Sequence, residues 1–286
     1  LHSIHSDHGK LTWQEIIKPV INLSDKGFLP PNRLINALRK EKFLFKIYPD
    51  SIFKKIIQDT NKKFLNPEYT LTLKEISKNY NNLYVSQIAK DIVKTVKESE
   101  NPGKLSLKDL QSYEIEKNNA LCYKLDSGYL ICGPNLPSSG TVCLIQGLIL
   151  YEILQQKKNQ VSLNEILDIL NFVYYLRDSK LADPKFVKIN EKDLFDKKKL
   201  YGHFSELNKN QKVLKIDNLN QVLSSTSHFS IADTHGNVLS ATSSIESSFG
   251  SRLFTNGFFL NNQLTDFDFM NEDKKGKLKK NRPQGG

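Results

Sequence analysis

The sequence predicts an α+β protein. A mainly helical part covers residues 1–202, a linker covers 203–225, and a β part runs over 226–286. Three observations predict this order. Apolar residues recur at helical spacing through most of the first two hundred positions. A polar, weakly periodic stretch follows Gly202. After Thr226, two short strand-like runs flank a turn rich in Asp, Gly and Asn. The 286 residues suffice for one large domain or two modest ones with a buried core.

The elements follow in order. Trp13, Ile16, Ile17, Val20, Ile21 and Leu23 make a helical stripe over 13–26. Gly27 is placed to end that helix, and Pro30-Pro31 prevents its continuation. Leu71 to Ile76 and Tyr84 to Val96 form two further amphipathic segments. Ser106 and Asp109 have the spacing of a capping box. Ala120 to Leu125 and Tyr129 to Cys132 flank Asp126-Ser127-Gly128 as a strand pair. A turn-rich segment, Pro134 to Gly140, leads into an apolar helix over 142–153. Leu163 to Leu176 and Glu191 to Leu200 fit two more helices. In the β part, Ser230-Ile231-Ala232 and Val238-Leu239-Ser240 flank the hairpin turn Asp233-Thr234-His235-Gly236-Asn237.

Composition excludes several classes. Hydrophobic residues are 38% and charged residues 25%, the balance of a soluble globular chain. No apolar run approaches the ~20 residues that span a bilayer. The net charge of +10 is spread along the chain rather than gathered on one element, which argues against a nucleic-acid partner. The densest basic run, Lys274 to Lys280, reads as a solvated loop. Three cysteines do not spell a disulfide framework or a zinc site, and Cys132 and Cys143 are expected to behave as small hydrophobes. The first eight residues have neither the basic start nor the apolar core of an export signal, and the chain does not begin with Met; the expectation is that a leader has been removed or that the chain is a piece of something longer. His2, His5 and His8 recur every third residue, but nothing nearby supplies a fourth ligand, and no metal site is expected there.

The hairpin makes a geometric prediction. With the turn centred on His235, Thr226 faces Ser244 and His228 faces Thr242, with Cβ atoms ~5 Å apart. Strand period puts Thr226, His228 and Ser230 on one face. A threonine hydroxyl needs an adjacent base to act as a nucleophile. One economical base is its own α-amino group, with an ordinary pKa of ~7.7–8.0. That base exists only if the bond between Ser225 and Thr226 is cut.

The run Thr226-Ser227-His228-Phe229-Ser230-Ile231-Ala232-Asp233, then Gly236 to Thr242, Phe249-Gly250 and Gly257 to Phe267, resembles the start of the small subunit of γ-glutamyltransferases. Gly9 to Trp13, Pro19 to Ile21, Leu107 to Tyr113, Pro137 to Gly140 and Asp183 to Val187 resemble the large subunit. The resemblance implies an N-terminal-nucleophile hydrolase, with two stacked sheets between helical layers (αββα), here expected to be incomplete. It implies self-cleavage before Thr226 and transfer or hydrolysis of γ-glutamyl groups, as from glutathione, through a threonyl acyl-enzyme, with water or an amino acid as acceptor. Large and small fragments of one precursor would stay partners. By position, Thr226 is the nucleophile and Ser244 the hydroxyl bonded to it. Gln263 and Asp266 hold the substrate's α-ammonium, a donor that suits acceptor oxygens. Glu246 stands where many members have Asn, and the Ser-Ile-Glu stretch is similar to that of poly-γ-glutamate transpeptidases. The family uses no metal or cofactor, and its members are periplasmic or secreted.

Departures accompany the match. The family's arginine for the substrate α-carboxylate has no equivalent here, nor do its Ser-Ser segment and its later Gly-Gly oxyanion pair. Gly285-Gly286 has the wrong position for that pair. Loss of one oxyanion donor alone costs ~10²–10³ in rate. Three readings follow from the sequence. It is part of a working γ-glutamyltransferase, a truncated member without catalysis, or a basic binding protein that borrows the fold.

Overall fold

The computed structural model describes residues 1–158, 160–209 and 226–266. Ser225, the rest of the expected linker from 210, the basic run Lys274 to Lys280 and Gly285-Gly286 lie outside the described residues. The chain forms two compact units. One comprises Leu1–Glu114 together with residues 226–263. The other comprises residues 115–209 and 264–266.

The first unit begins with α1 (His2–His8), α2 (Trp13–Lys26), α3 (Asn32–Lys40), α4 (Lys42–Ile47) and α5 (Lys54–Gln58). It continues with α6 (Pro67–Lys78), α7 (Asn82–Val85), α8 (Gln87–Lys97) and α9 (Leu107–Gln111). Thr12 and Glu15 close a reciprocal capping box on α2, and Gly27 ends that helix at φ 68°. Ser106 and Asp109 cap α9 in the same way. The segment expected as one helix from Tyr84 is divided at Ser86, whose hydroxyl accepts from Ile88 N and starts α8 afresh. Helices α2 and α6 pack together. The Trp13 indole donates to Ile76 O at 2.9 Å, and the Ser24 and Thr70 hydroxyls meet at 2.8 Å. His2 stacks on Tyr80 and meets Trp13 edge-on.

The second unit has a hairpin of β1 (Leu121–Lys124) and β2 (Leu130–Gly133), then α10 (Gly140–Lys157), α11 (Leu163–Lys180), α12 (Glu191–Leu194) and α13 (Lys197–Lys209). Its core joins Ile145, Ile149, Phe172, Val173, Leu200 and Phe204. The last helix enters the stretch expected as linker. Leu200, Phe204 and Leu207 form a helical stripe against that core, hidden in the sequence by the lysines and polar residues between them.

The cysteines correct the sequence reading. Cys122 and Cys132 are directly opposed in the β1–β2 register, with Cα atoms 4.2 Å apart, and are joined in a disulfide. Cys132 is therefore an exposed half-cystine, not a small hydrophobe. Only Cys143 fits that description: it is half-buried, and burial pushes its thiol pKa up. The turn at Ser127 already paired these two cysteines. Counting residues outward from the turn would have found the bond.

After Thr226 the chain adds β3 (Ser227–Ala232) and β4 (Val238–Ser243), then the short pair β5 (Phe254–Thr255) and β6 (Phe258–Phe259), and a 3₁₀ turn at Gln263–Asp266. Among the described residues the strands pair two by two, as three antiparallel hairpins. The β5–β6 hairpin is inserted into the first unit. Phe249 is buried with Ile35, Leu38, Leu44, Phe53 and Ile56, and Phe254 and Phe259 pack against them. Polar contacts seat its backbone. Asn66 Nδ2 donates to Gly257 O at 2.8 Å, Thr72 Oγ1 donates to Asn256 O at 2.7 Å, and Phe254 N donates to Tyr48 Oη at 3.2 Å. Gly257 sits at φ 79°, where an added Cβ would lie 2.2 Å from Tyr69 N, so no other residue fits. Arg252 grips Glu41 through two hydrogen bonds of 3.0 and 3.1 Å.

Candidate active site

The β3–β4 hairpin has the register read from the sequence. Ser227 opposes Ser243, His228 opposes Thr242, and Ala232 opposes Val238. Asp233 builds the turn by accepting from His235 N, Asn237 N and the Asn237 amide at 2.7–2.9 Å. These donors, the Asn237 side chain foremost, hold the Asp233 carboxyl below its usual range.

One residue beyond the paired strand, Thr226 Oγ1 lies 3.1 Å from Ser244 Oγ, within hydrogen-bond distance, and either hydroxyl can donate. Thr226 is exposed. His228 is two residues away, but both its ring nitrogens are engaged along the hairpin. Nδ1 bonds Thr242 Oγ1 at 2.8 Å, and Nε2 lies 3.1 Å from Ser240 Oγ and 3.3 Å from Ser230 Oγ. It braces the two strands and leaves Thr226 without an imidazole base.

From Ser244 a chain of short bonds leads toward the expected substrate residues. Ser244 Oγ accepts from Glu246 N at 2.9 Å. Glu246 is half-buried with φ at 73°, and its Oε2 accepts from Ser247 Oγ at 2.6 Å. Asn262 then ties the loop to the 3₁₀ turn. It donates its backbone N to Ile245 O at 3.3 Å, its Oδ1 accepts from Ser247 N at 3.2 Å, and its Nδ2 reaches Ser247 Oγ at 3.3 Å. Gln263 follows directly and opens the turn that Asp266 closes. The structure thus connects Thr226, Ser244 and Glu246 to the residue beside Gln263. Ser247 and Asn262, which carry that connection, received no role from the sequence. The cluster of Ser244, Ser247 and Ser248 around Glu246 was the signal available.

Solved structures show the fold: the chain is α+β and resembles γ-glutamyltranspeptidases. It matches a γ-glutamyltranspeptidase from Pseudomonas nitroreducens complexed with L-DON at a TM-score of 0.60 and 23% identity, over 71% of this chain and 62% of that one. The γ-glutamyltranspeptidase of Helicobacter pylori matches with the same score and identity, over 71% and 60%. Sequence comparison narrows the class. The family model described as gamma-glutamyltranspeptidase matches residues 1–285, and the chain belongs to that family. Similar relatives include the capsule biosynthesis protein CapD proenzyme of Bacillus anthracis, 30% identical over 92% of this chain and 48% of that protein. The glutathione hydrolase proenzyme of Bacillus subtilis is 26% identical over 91% and 49%. The chain therefore spans about half the length of these relatives.

Proposed function

We propose that this chain is the part of a γ-glutamyl hydrolase and transferase that makes and carries its nucleophile. The observation that carries the reading is the 3.1 Å contact between Thr226 Oγ1 and Ser244 Oγ at the open end of a hairpin. In maturation, Thr226 Oγ1 attacks the carbonyl carbon of Ser225, and the Ser225–Thr226 amide breaks as an ester forms. Water then hydrolyses the ester, leaving a carboxylate on Ser225 and a free α-amine on Thr226. That amine becomes the base. It takes the Thr226 hydroxyl proton as Oγ1 attacks the γ-carbonyl of a substrate such as glutathione. The leaving amine departs with the proton, and water or an amino acid releases the γ-glutamyl group.

In this scheme Ser244 orients the nucleophile, and Glu246, Gln263 and Asp266 accept hydrogen bonds from the substrate's α-ammonium. The two fragments of the precursor stay together, which the Asn66–Gly257 and Glu41–Arg252 contacts support. No cofactor or nucleic acid takes part. We place the protein in the periplasm or outside the cell. Disulfides such as Cys122–Cys132 persist in oxidising compartments, and no described helix is long and apolar enough to cross a membrane.

A second reading is favoured by Glu246: a donor of capsule type, a γ-linked glutamate polymer. The similarity to a capsule biosynthesis proenzyme supports it. Intact mass and N-terminal sequencing, beside a Thr226→Ala control, test the common core of both readings. A fragment beginning at Thr226, absent from the control, is the expected result. One uncut chain in both samples would favour an inactive family member. Comparing turnover of a γ-glutamyl anilide with that of poly-γ-glutamate then separates the two donors.

A further inference from the structure

Glu246 has a φ of 73°, in the left-handed region that a residue with a Cβ rarely adopts and that persists only where neighbouring bonds fix it. Two hydroxyls fix it here. The Glu246 backbone N donates to Ser244 Oγ at 2.9 Å, and its Oε2 accepts from Ser247 Oγ at 2.6 Å. The direction of the second bond is set by Asn262. Ser247 N can only donate, so the Asn262 atom 3.2 Å from it is the amide oxygen. The other amide atom, Nδ2, then faces Ser247 Oγ at 3.3 Å and can only donate to it. The single proton of the Ser247 hydroxyl is left to point at the Glu246 carboxylate, which when ionised only accepts. Asn262, Ser247 and Glu246, all half-buried and all in the first unit, thus form an ordered chain of donors that ends on a charged acceptor.

We infer that Ser247 is a positioning residue for donor recognition. Its hydroxyl holds the Glu246 carboxylate in the orientation that receives the α-ammonium of a γ-glutamyl donor, and Asn262 fixes that hydroxyl. This rests on the reading of Glu246 as an acceptor for that ammonium. Ser247 acts through Glu246 and takes no part in bond making. The α-ammonium keeps its charge while the γ-carbonyl reacts, so its contacts are equal in the ground state and the transition state and govern KM.

Steady-state kinetics of the full chain, with cleavage before Thr226 verified by mass, test the inference. Ser247→Ala is expected to raise the KM for a γ-glutamyl anilide about tenfold, the scale of one lost hydrogen bond, with the loss in KM and not in kcat. Glutamate and glutarate, which differ only in the α-ammonium, are then compared as competitive inhibitors. The preference for glutamate should fall about tenfold in Ser247→Ala and return in Ser247→Thr, which restores the hydroxyl. Asn262→Asp keeps the acceptor for Ser247 N but removes the donor to Ser247 Oγ, and should reduce the preference as well. Thermal melts establish that each variant is folded. Equal weakening of both acids, or a preference unchanged in Ser247→Ala, would overturn the inference and leave the reading at Thr226 intact. A wild-type chain that releases no anilide would overturn the two together.

Discussion

The two hairpins that follow Thr226 are built on opposite principles. In β3–β4 every residue of the first strand is exposed, and the bonds that shape it are local: Asp233 to its own turn, and His228 to the facing hydroxyls. In β5–β6 and its flanks, the bonds reach back 165 to 211 residues, to Asn66, Thr72, Asp91, Tyr48 and Glu41. Phe229 on the first hairpin is 46% exposed, whereas Phe249 ahead of the second is 4% exposed. The proposed nucleophile therefore rides on a self-shaping element, and the stability of the segment is supplied elsewhere. Changes in one hairpin should scarcely register in the property governed by the other.

The largest separation is expected at Thr226. If the proposed role of Thr226 holds, Thr226→Ala should abolish cleavage and lower γ-glutamyl transfer by at least ~10³-fold, measured as anilide release, because it removes the proposed nucleophile. The same variant should melt at the temperature of an uncleaved wild-type chain. A fall of more than a few degrees would show that the first hairpin also carries stability. Next comes Phe249→Ala, expected to cost about 3–5 kcal/mol in denaturant unfolding, against about 0.5 or less for Phe229→Ala. Similar losses at both positions would break the contrast. Glu41→Ala strands the Arg252 guanidinium and should cost about 2 kcal/mol by the same measurement, given that both side chains keep some solvent contact.

The smallest effect expected is a pH effect confined to the first hairpin. The Asp233 carboxyl is held below its ordinary range in the folded turn. Its contribution is then complete above the unfolded value of ~3.9 and is lost as pH falls through the lower folded value. Amide exchange of His235 and Asn237 should therefore quicken at acid pH while that of Phe254 holds. A parallel case lies in the second unit. Lys158 and the Ser162 cap bring the Glu165 pKa down to about 2, so the start of α11 should loosen only between ~4 and that value. Loosening near neutral pH would contradict both assignments.

Much of this was legible in the sequence because it is local. Gly27 and the Thr12 box bound α2 where periodicity put it, and counting from the turn at His235 sets Thr226 opposite Ser244. What escaped was either non-local or split across short elements. Nothing near Glu41 announces Arg252, and nothing near Asn66 announces Gly257. Helices α3, α4 and α5 are too short for a periodic signal and are held by tertiary packing. The Cys122–Cys132 bond was legible too, by counting outward from Ser127 in β1–β2 as from His235 in β3–β4.

The turn from Asp233 to Asn237 is a length gauge. Adding one residue there would slide β3 by one position against β4. Because faces alternate along a strand, Thr226 would then swing to the side opposite Ser244. A substitution at the tip, far from Thr226, leaves that spacing intact, whereas a single-codon insertion resets it. For this hairpin, counting residues matters more than choosing them.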